Sequence, residues 1–256
     1  MTHSTAIIDP SARVHESAAI GPYCIVGPEA EIGPGCELMA HVFLAGPIRV
    51  GEGNRFFPFT SIGVVPQDLK FKGERSETRI GARNTFREYV TVHRGTAGGG
   101  ALTSIGDDCL LQAYSHVAHD CRLGGGIVLG HGVTMGGHVV IEDHAFVGAF
   151  SGIHQFCRVG RHAIVGGYSV ITQDVLPFSK TVAERAVKTF GVNKVGLERH
   201  GFSAERIERL HQAFRALTAS KLNTTQALEK IRAGGLNDDL QLLLDFIASS
   251  QRGVIK

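Results

Sequence analysis

Apolar residues recur at every sixth position over most of this chain. Stepping by six from Ile8 gives Val14, Ile20, Val26, Ile32, Leu38, Leu44, Val50, Phe56 and Ile62. A second run reads Ile80, Phe86 and Val92. A third starts at Ile105 and passes Leu111, Val117, Leu123, Leu129, Met135, Ile141, Val147, Ile153, Val159 and Val165 to reach Ile171. All 25 positions are apolar, where a 43% apolar composition would supply about 11 by chance. A period of six is neither the 3.6 of a helix nor the 2 of a long strand. It predicts a short strand and a corner, repeated, with the periodic residue pointing inward.

Three such units close a triangular coil of about 18 residues, and stacked coils pair by parallel backbone hydrogen bonds about 4.8 Å apart. Gly follows the apolar residue at many of these positions (Gly21, Gly27, Gly33, Gly106, Gly124, Gly130 among them). A small residue there is expected to let the backbone turn. The expected product is a mainly β prism of roughly eight coils, about 40 Å tall. The period breaks twice, at residues 64–79 and 94–104, and these segments are expected to leave the prism as loops of functional interest.

Past Pro177 the pattern changes. Ser203 is placed to cap a helix over residues 204–219, with Ile207, Leu210, Phe214 and Leu217 on one face. Thr224 or Thr225 opens a second helix that Gly234 and Gly235 stop, and Asn237 opens a third. The chain therefore divides into a prism, residues 1–179, and a basic connection with a small helical domain, residues 180–256.

Charge sharpens this division. The chain as a whole carries only +2 and does not call for nucleic acid. Residues 1–179 hold 13 basic and 16 acidic side chains, net −3, whereas residues 180–256 hold 13 and 8, net +5. A basic C-terminal part points to an anionic partner. The five cysteines (Cys24, Cys36, Cys109, Cys121, Cys157) form no CxxC pair. There is no apolar run of about 18 residues and no signal-peptide pattern. Together these predict free, buried thiols in a cytoplasmic protein.

Histidines concentrate in the third run, most densely at His116 and His119, with Asp120 directly following. Neither histidine takes an inward position. An imidazole beside a carboxylate suits a general base. Two other readings stand beside it: histidines on the plain outer surface of an inert prism, and a three-histidine zinc site of the hydratase kind.

The motifs decide more than the histidines alone. QDLK at 67–70, VHRGT at 92–96, HVAHDC at 116–121, HQFC at 154–157 and FGVN at 190–193 occur in this order, followed by GFS at 201–203 and SQRG at 250–253. Over nearly the whole chain this set resembles the UDP-N-acetylglucosamine O-acyltransferases among the hexapeptide-repeat acyltransferases. The resemblance implies a left-handed parallel β-helix followed by a small C-terminal α-helical domain. It implies transfer of an (R)-3-hydroxyacyl chain from acyl carrier protein to the 3-hydroxyl of UDP-N-acetylglucosamine, in lipid A biosynthesis, with no cofactor and no metal.

Residue by residue, the resemblance makes His119 the base, Asp120 its orienting partner and Gly137 the oxyanion donor. Asp68, Lys70, His116 and His138 match positions near the sugar and acyl chain. His154, Gln155 and Asn193 match nucleotide positions, Arg199 a phosphate contact and Gly167 the position that limits acyl length. Family sites lie between the subunits of a homotrimer. Two positions depart from the family pattern. Val195 stands where Glu is frequent, and His200 replaces the second Arg of a pair. A 3-amino UDP-sugar remains an alternative acceptor. The N-acyltransferase of the same fold usually carries an extra N-terminal domain, whereas here the repeat begins by Ile8.

Overall fold

The computed structural model describes residues 1–183, 188–219 and 222–255. Consecutive short strands rotate around three sheets of nine, eight and ten strands, parallel except for the last strand of the third. Each strand pairs with the one a coil later, as in Arg122↔Val140↔Arg158 and Leu123↔Ile141↔Val159. The first residue of such a pair faces out and the second faces in. From Ile20 onward every residue of the period-six runs is buried, and Ile8 and Val14 are half-buried in the first coil. One core therefore runs the length of the prism. The five cysteines are unpaired and buried, adding small side chains to that packing.

The glycines following the inward residues avoid a Cβ clash, as expected, and the clash is with the next coil. Apart from Gly63 (φ 78°), they do not themselves hold the left-handed backbone. That falls two residues later, on residues such as Asp120 (φ 60°), His138 (φ 62°) and Phe156 (φ 66°). The glycine is needed because the next coil lies directly against it. A Cβ on Gly21 would come within 1.3 Å of the Met39 carbonyl oxygen.

Both interruptions of the period are loops, shorter than the sequence suggested. Strand Ser61–Val64 precedes the first and Glu77–Ile80 follows it, leaving residues 65–76 outside the ladder. The second lies between strands Thr91–His93 and Leu102–Ile105 and contains a 3-10 turn, Ala97–Gly99. The Ala97 N–H donates to Glu74 Oε1 at 3.2 Å, so the two loops brace each other.

Beyond Pro177 the ladder continues for one more rung. Strand Ser179–Val182 pairs parallel with Ile164–Val165, then antiparallel with Lys188–Val192. Part of the expected basic connection is thus an antiparallel pair, which carries no six-residue period. Four helices follow: α1 (Lys194–Arg199), α2 (Ala204–Phe214), α3 (Thr224–Ala233) and α4 (Asp238–Ala248). Ser203 and Asn237 cap α2 and α4 as expected. The cap of α3 is Asn223, one residue before Thr224, in a reciprocal capping box with Gln226. Helix α2 runs on into a π turn, Arg215–Ala219. The helices pack a second core around Leu210, Phe214, Leu243 and Leu244. Arg158 ties them to the prism by donating to the buried Asp174 carboxylate (3.0 Å) and to the Phe246 carbonyl of α4 (2.9 Å).

Candidate active site

Stacking in register brings together residues 18 apart in sequence. At the corner leaving the nine-stranded sheet, His119, Gly137 and Gln155 occupy one position on three successive coils. Asp120, His138 and Phe156 occupy the next. The His119 ring rests over the Gly137 backbone, and a Cβ on Gly137 would lie 2.4 Å from its Cε1. Among the described residues the Gly137 N–H donates to no protein atom.

His119 Nδ1 lies 2.8 Å from Asp120 Oδ2. The Asp120 side chain is fully buried while that of His119 keeps a small exposed part. An ionised carboxylate can only accept, so Nδ1 carries the proton and Nε2 is left with a free lone pair. His138 stands edge-on to His119, ring centroids 5.3 Å apart, and stacks on Phe156 at 4.5 Å. His116 shares a hydrogen bond with Thr91 Oγ1 at 2.8 Å and stands edge-on to the buried His93. Burial, with His116 and His119 nearby, pushes His93 down to about 4. Burial also lowers His116. Desolvation therefore favours the neutral form of His93 and His116.

His119, Asp120 and His138 each bring one possible ligand atom within 4.8 Å of the others. The carboxylate is already committed, however. Oδ1 accepts the Thr96 N–H at 2.8 Å, and Oδ2 accepts both the Thr96 hydroxyl at 2.6 Å and the His119 ring. Three hydrogen bonds fix the carboxylate in place, which suits a residue that orients a base.

Known proteins resemble this chain in sequence and in fold. The model for bacterial transferase hexapeptide repeats matches residues 102–137 and 138–173, and that for UDP-N-acetylglucosamine O-acyltransferase domain 2 matches residues 174–255. The acyl-(acyl-carrier-protein)–UDP-N-acetylglucosamine O-acyltransferase of Anaeromyxobacter sp. (strain Fw109-5) is 47% identical over 255 residues, 99% of each chain. The chain belongs to the UDP-N-acetylglucosamine O-acyltransferase family. Solved acyltransferases of this family superpose closely. That of Bacteroides fragilis gives a TM-score of 0.97 at 39% identity over 100% of both chains. That of Francisella novicida gives 0.96 at 37% identity over 100% of this chain and 94% of its own. The fold is the left-handed parallel β-helix that the family resemblance implied.

Within this family frame, the expected site residues fall into groups. His116, His119, Asp120, Gly137 and His138 meet at one corner, and His154 and Gln155 lie exposed one coil beyond Gly137. Asp68 and Lys70 lie on the 65–76 loop, where Asp68 Oδ1 accepts the Lys70 N–H at 2.9 Å. Gly167 lies at a different corner, where a Cβ would meet the Ala149 carbonyl oxygen at 3.1 Å and is otherwise unobstructed. Asn193 caps α1 and donates to the His162 carbonyl at 3.0 Å, and Arg199 is exposed in the last turn of α1. His200 packs against His144 and His162, with centroids at 4.5 and 4.9 Å, fastening α1 to the prism edge. Sequence reasoning singled out neither Thr96 nor His93 individually. Both stand in the VHRGT motif, the only signal that pointed to them.

Proposed function

We propose that this chain transfers an (R)-3-hydroxyacyl group from acyl carrier protein to the 3-hydroxyl of UDP-N-acetylglucosamine, the first step of lipid A biosynthesis. The observation that carries the mechanism is the His119–Asp120 pair, held at 2.8 Å directly over Gly137. An alcohol becomes a useful nucleophile only as its proton leaves. His119 Nε2 takes that proton while the sugar oxygen attacks the thioester carbonyl. Asp120 keeps the ring in the required tautomer and stabilises the imidazolium. The Gly137 N–H donates to the oxyanion of the tetrahedral intermediate, a contribution typically worth about 3 kcal/mol. Collapse breaks the C–S bond, and His119 returns its proton to the departing thiolate.

Around this centre, His116 and His138 hold the sugar, and Asp68 and Lys70 contact the sugar and acyl chain. His154, Gln155 and Asn193 serve the nucleotide and Arg199 a phosphate. Gly167 leaves room for a long acyl chain. We assign the sites to the clefts between subunits of a homotrimer. The projecting 65–76 loop, with Leu69 fully exposed, supports this, because it reaches away from its own core. The net +5 of residues 180–256 suits electrostatic steering of an acidic carrier protein. The five unpaired, buried thiols suit a cytoplasmic reaction. Among the described residues no helix is long and apolar enough to cross a membrane.

The test offers the protein hydroxyacyl carrier proteins of graded length with UDP-N-acetylglucosamine or its 3-amino analogue, trapping product with a downstream deacetylase. An ester product from the 3-hydroxyl sugar supports the reading, and the preferred donor measures the space at Gly167. An amide formed only with the 3-amino sugar would change the acceptor. No product with either, together with one tightly held zinc per subunit, would overturn it.

A further inference from the structure

The second interruption of the repeat leaves the prism after His93 and returns at Leu102, and its business end is Asp120. Thr96 is buried and meets both carboxylate oxygens, through its N–H to Oδ1 (2.8 Å) and its hydroxyl to Oδ2 (2.6 Å). From the prism side, the Asp120 N–H donates to the buried Thr103 hydroxyl at 2.8 Å. The loop is shaped for this contact. A Cβ on Gly99 would come within 2.0 Å of Asp120 Cγ, and one on Gly95 within 2.1 Å of the Leu102 nitrogen. The N–H groups of Gly99 and Ala101 both return to the Thr96 carbonyl, at 3.0 and 2.8 Å. Glycine at the neck and at the tip lets the turn close over the carboxylate.

We propose that the loop at residues 94–101 is a positioning clamp for the reaction, and that Thr96 sets both the orientation of Asp120 and how strongly that carboxylate holds the His119 ring. The inference rests on the reading of His119 as the base. Its physical content lies in one shared atom. The Thr96 hydroxyl and the His119 ring compete for Asp120 Oδ2, so each draws on the charge available to the other. The hydroxyl holds the carboxylate in place while weakening its pull on the imidazolium.

The test measures kcat, KM and the pH profile of kcat/KM for full-length Thr96→Val, Thr96→Ser and Gly99→Ala, with His119→Ala beside them. Thr96→Val removes the hydroxyl and keeps the backbone donor. It is expected to lower kcat about 10–100-fold, the cost of a modest misplacement of a catalytic group, with KM within about twofold. Its acidic limb is expected to move to higher pH. Thr96→Ser restores the hydroxyl and should recover most of kcat and the original limb. Gly99→Ala crowds the same carboxylate from a partly exposed turn and should lower kcat with a normal melting curve, so it decides the matter if Thr96→Val does not fold. Wild-type kcat and pH profile in a folded Thr96→Val, or in Gly99→Ala where only that variant folds, would overturn the clamp while leaving the base assignment intact. An active His119→Ala would instead remove the reading on which it rests.

Discussion

The imidazole of His119 lies so close over Gly137 that a β-carbon on residue 137 would come within 2.4 Å of ring Cε1 and 2.7 Å of Nε2. The contact joins two residues 18 apart in sequence and one coil apart in space. It places the proposed base and the N–H proposed for the oxyanion at one point. The ring has little freedom to yield, because its other nitrogen is held by Asp120.

The Gly137→Ala variant is therefore expected to fold and to lose catalysis. The new methyl would displace the His119 ring, and a displacement near 1 Å can cost about 100-fold in rate. Melting curves should remain close to wild type while kcat falls. Unchanged kcat would mean that the ring has another place to sit.

The prism owed most to the repeat. The inward residues, the three-sided coil and the meeting of His119 with Gly137 and Gln155 all follow from a six-residue period, because 18 residues make one turn of the stack. The parts that escaped the sequence are those without a period. Thr96 reaches Asp120 across an irregular loop, and no spacing rule connects positions 96 and 120. The antiparallel pair of Ser179–Val182 with Lys188–Val192 follows a ladder of parallel pairs, and helix α1 is only six residues long. The left-handed backbone falls on Asp120 and His138, residue types that tolerate it, and also on the bulky Phe156, where the stack imposes it.

Acid should destabilise the fold through buried imidazoles. Burial pushes His93 and His162 down to about 4, from an ordinary value of 6.5. Between those values the unfolded chain takes up protons that the folded chain refuses. The stability these rings preserve is complete above about pH 6.5 and is lost progressively as pH falls toward 4. Thermal melts from pH 7.5 to 4.5 should show a falling Tm, and His162→Gln should flatten the slope. An equal slope in that variant would exclude His162 as a contributor.

Arg158 should matter to the attachment of the C-terminal helices rather than to the chemistry. Its guanidinium donates to Asp174, Ser249 and the Phe246 carbonyl, and lies 4.1 Å from the Phe246 ring centroid. Arg158→Ala leaves the Asp174 carboxylate buried with only the Ser250 hydroxyl and the backbone N–H of residue 158 as donors. Breaking a buried pair in this way typically costs about 3–5 kcal/mol. Chemical denaturation should register the loss, and protease should reach the region after residue 180 sooner. Wild-type stability would show that the helices are held by their apolar contacts alone.

The central claim is that His119 removes the proton from the attacking sugar hydroxyl. The most direct test is the turnover of His119→Ala in a deacetylase-coupled assay, at saturating UDP-N-acetylglucosamine and hydroxyacyl carrier protein. The account predicts a folded variant whose kcat has fallen at least about 100-fold, since general-base catalysis supplies about 10²–10⁴. A folded variant that keeps kcat within tenfold of wild type would contradict it.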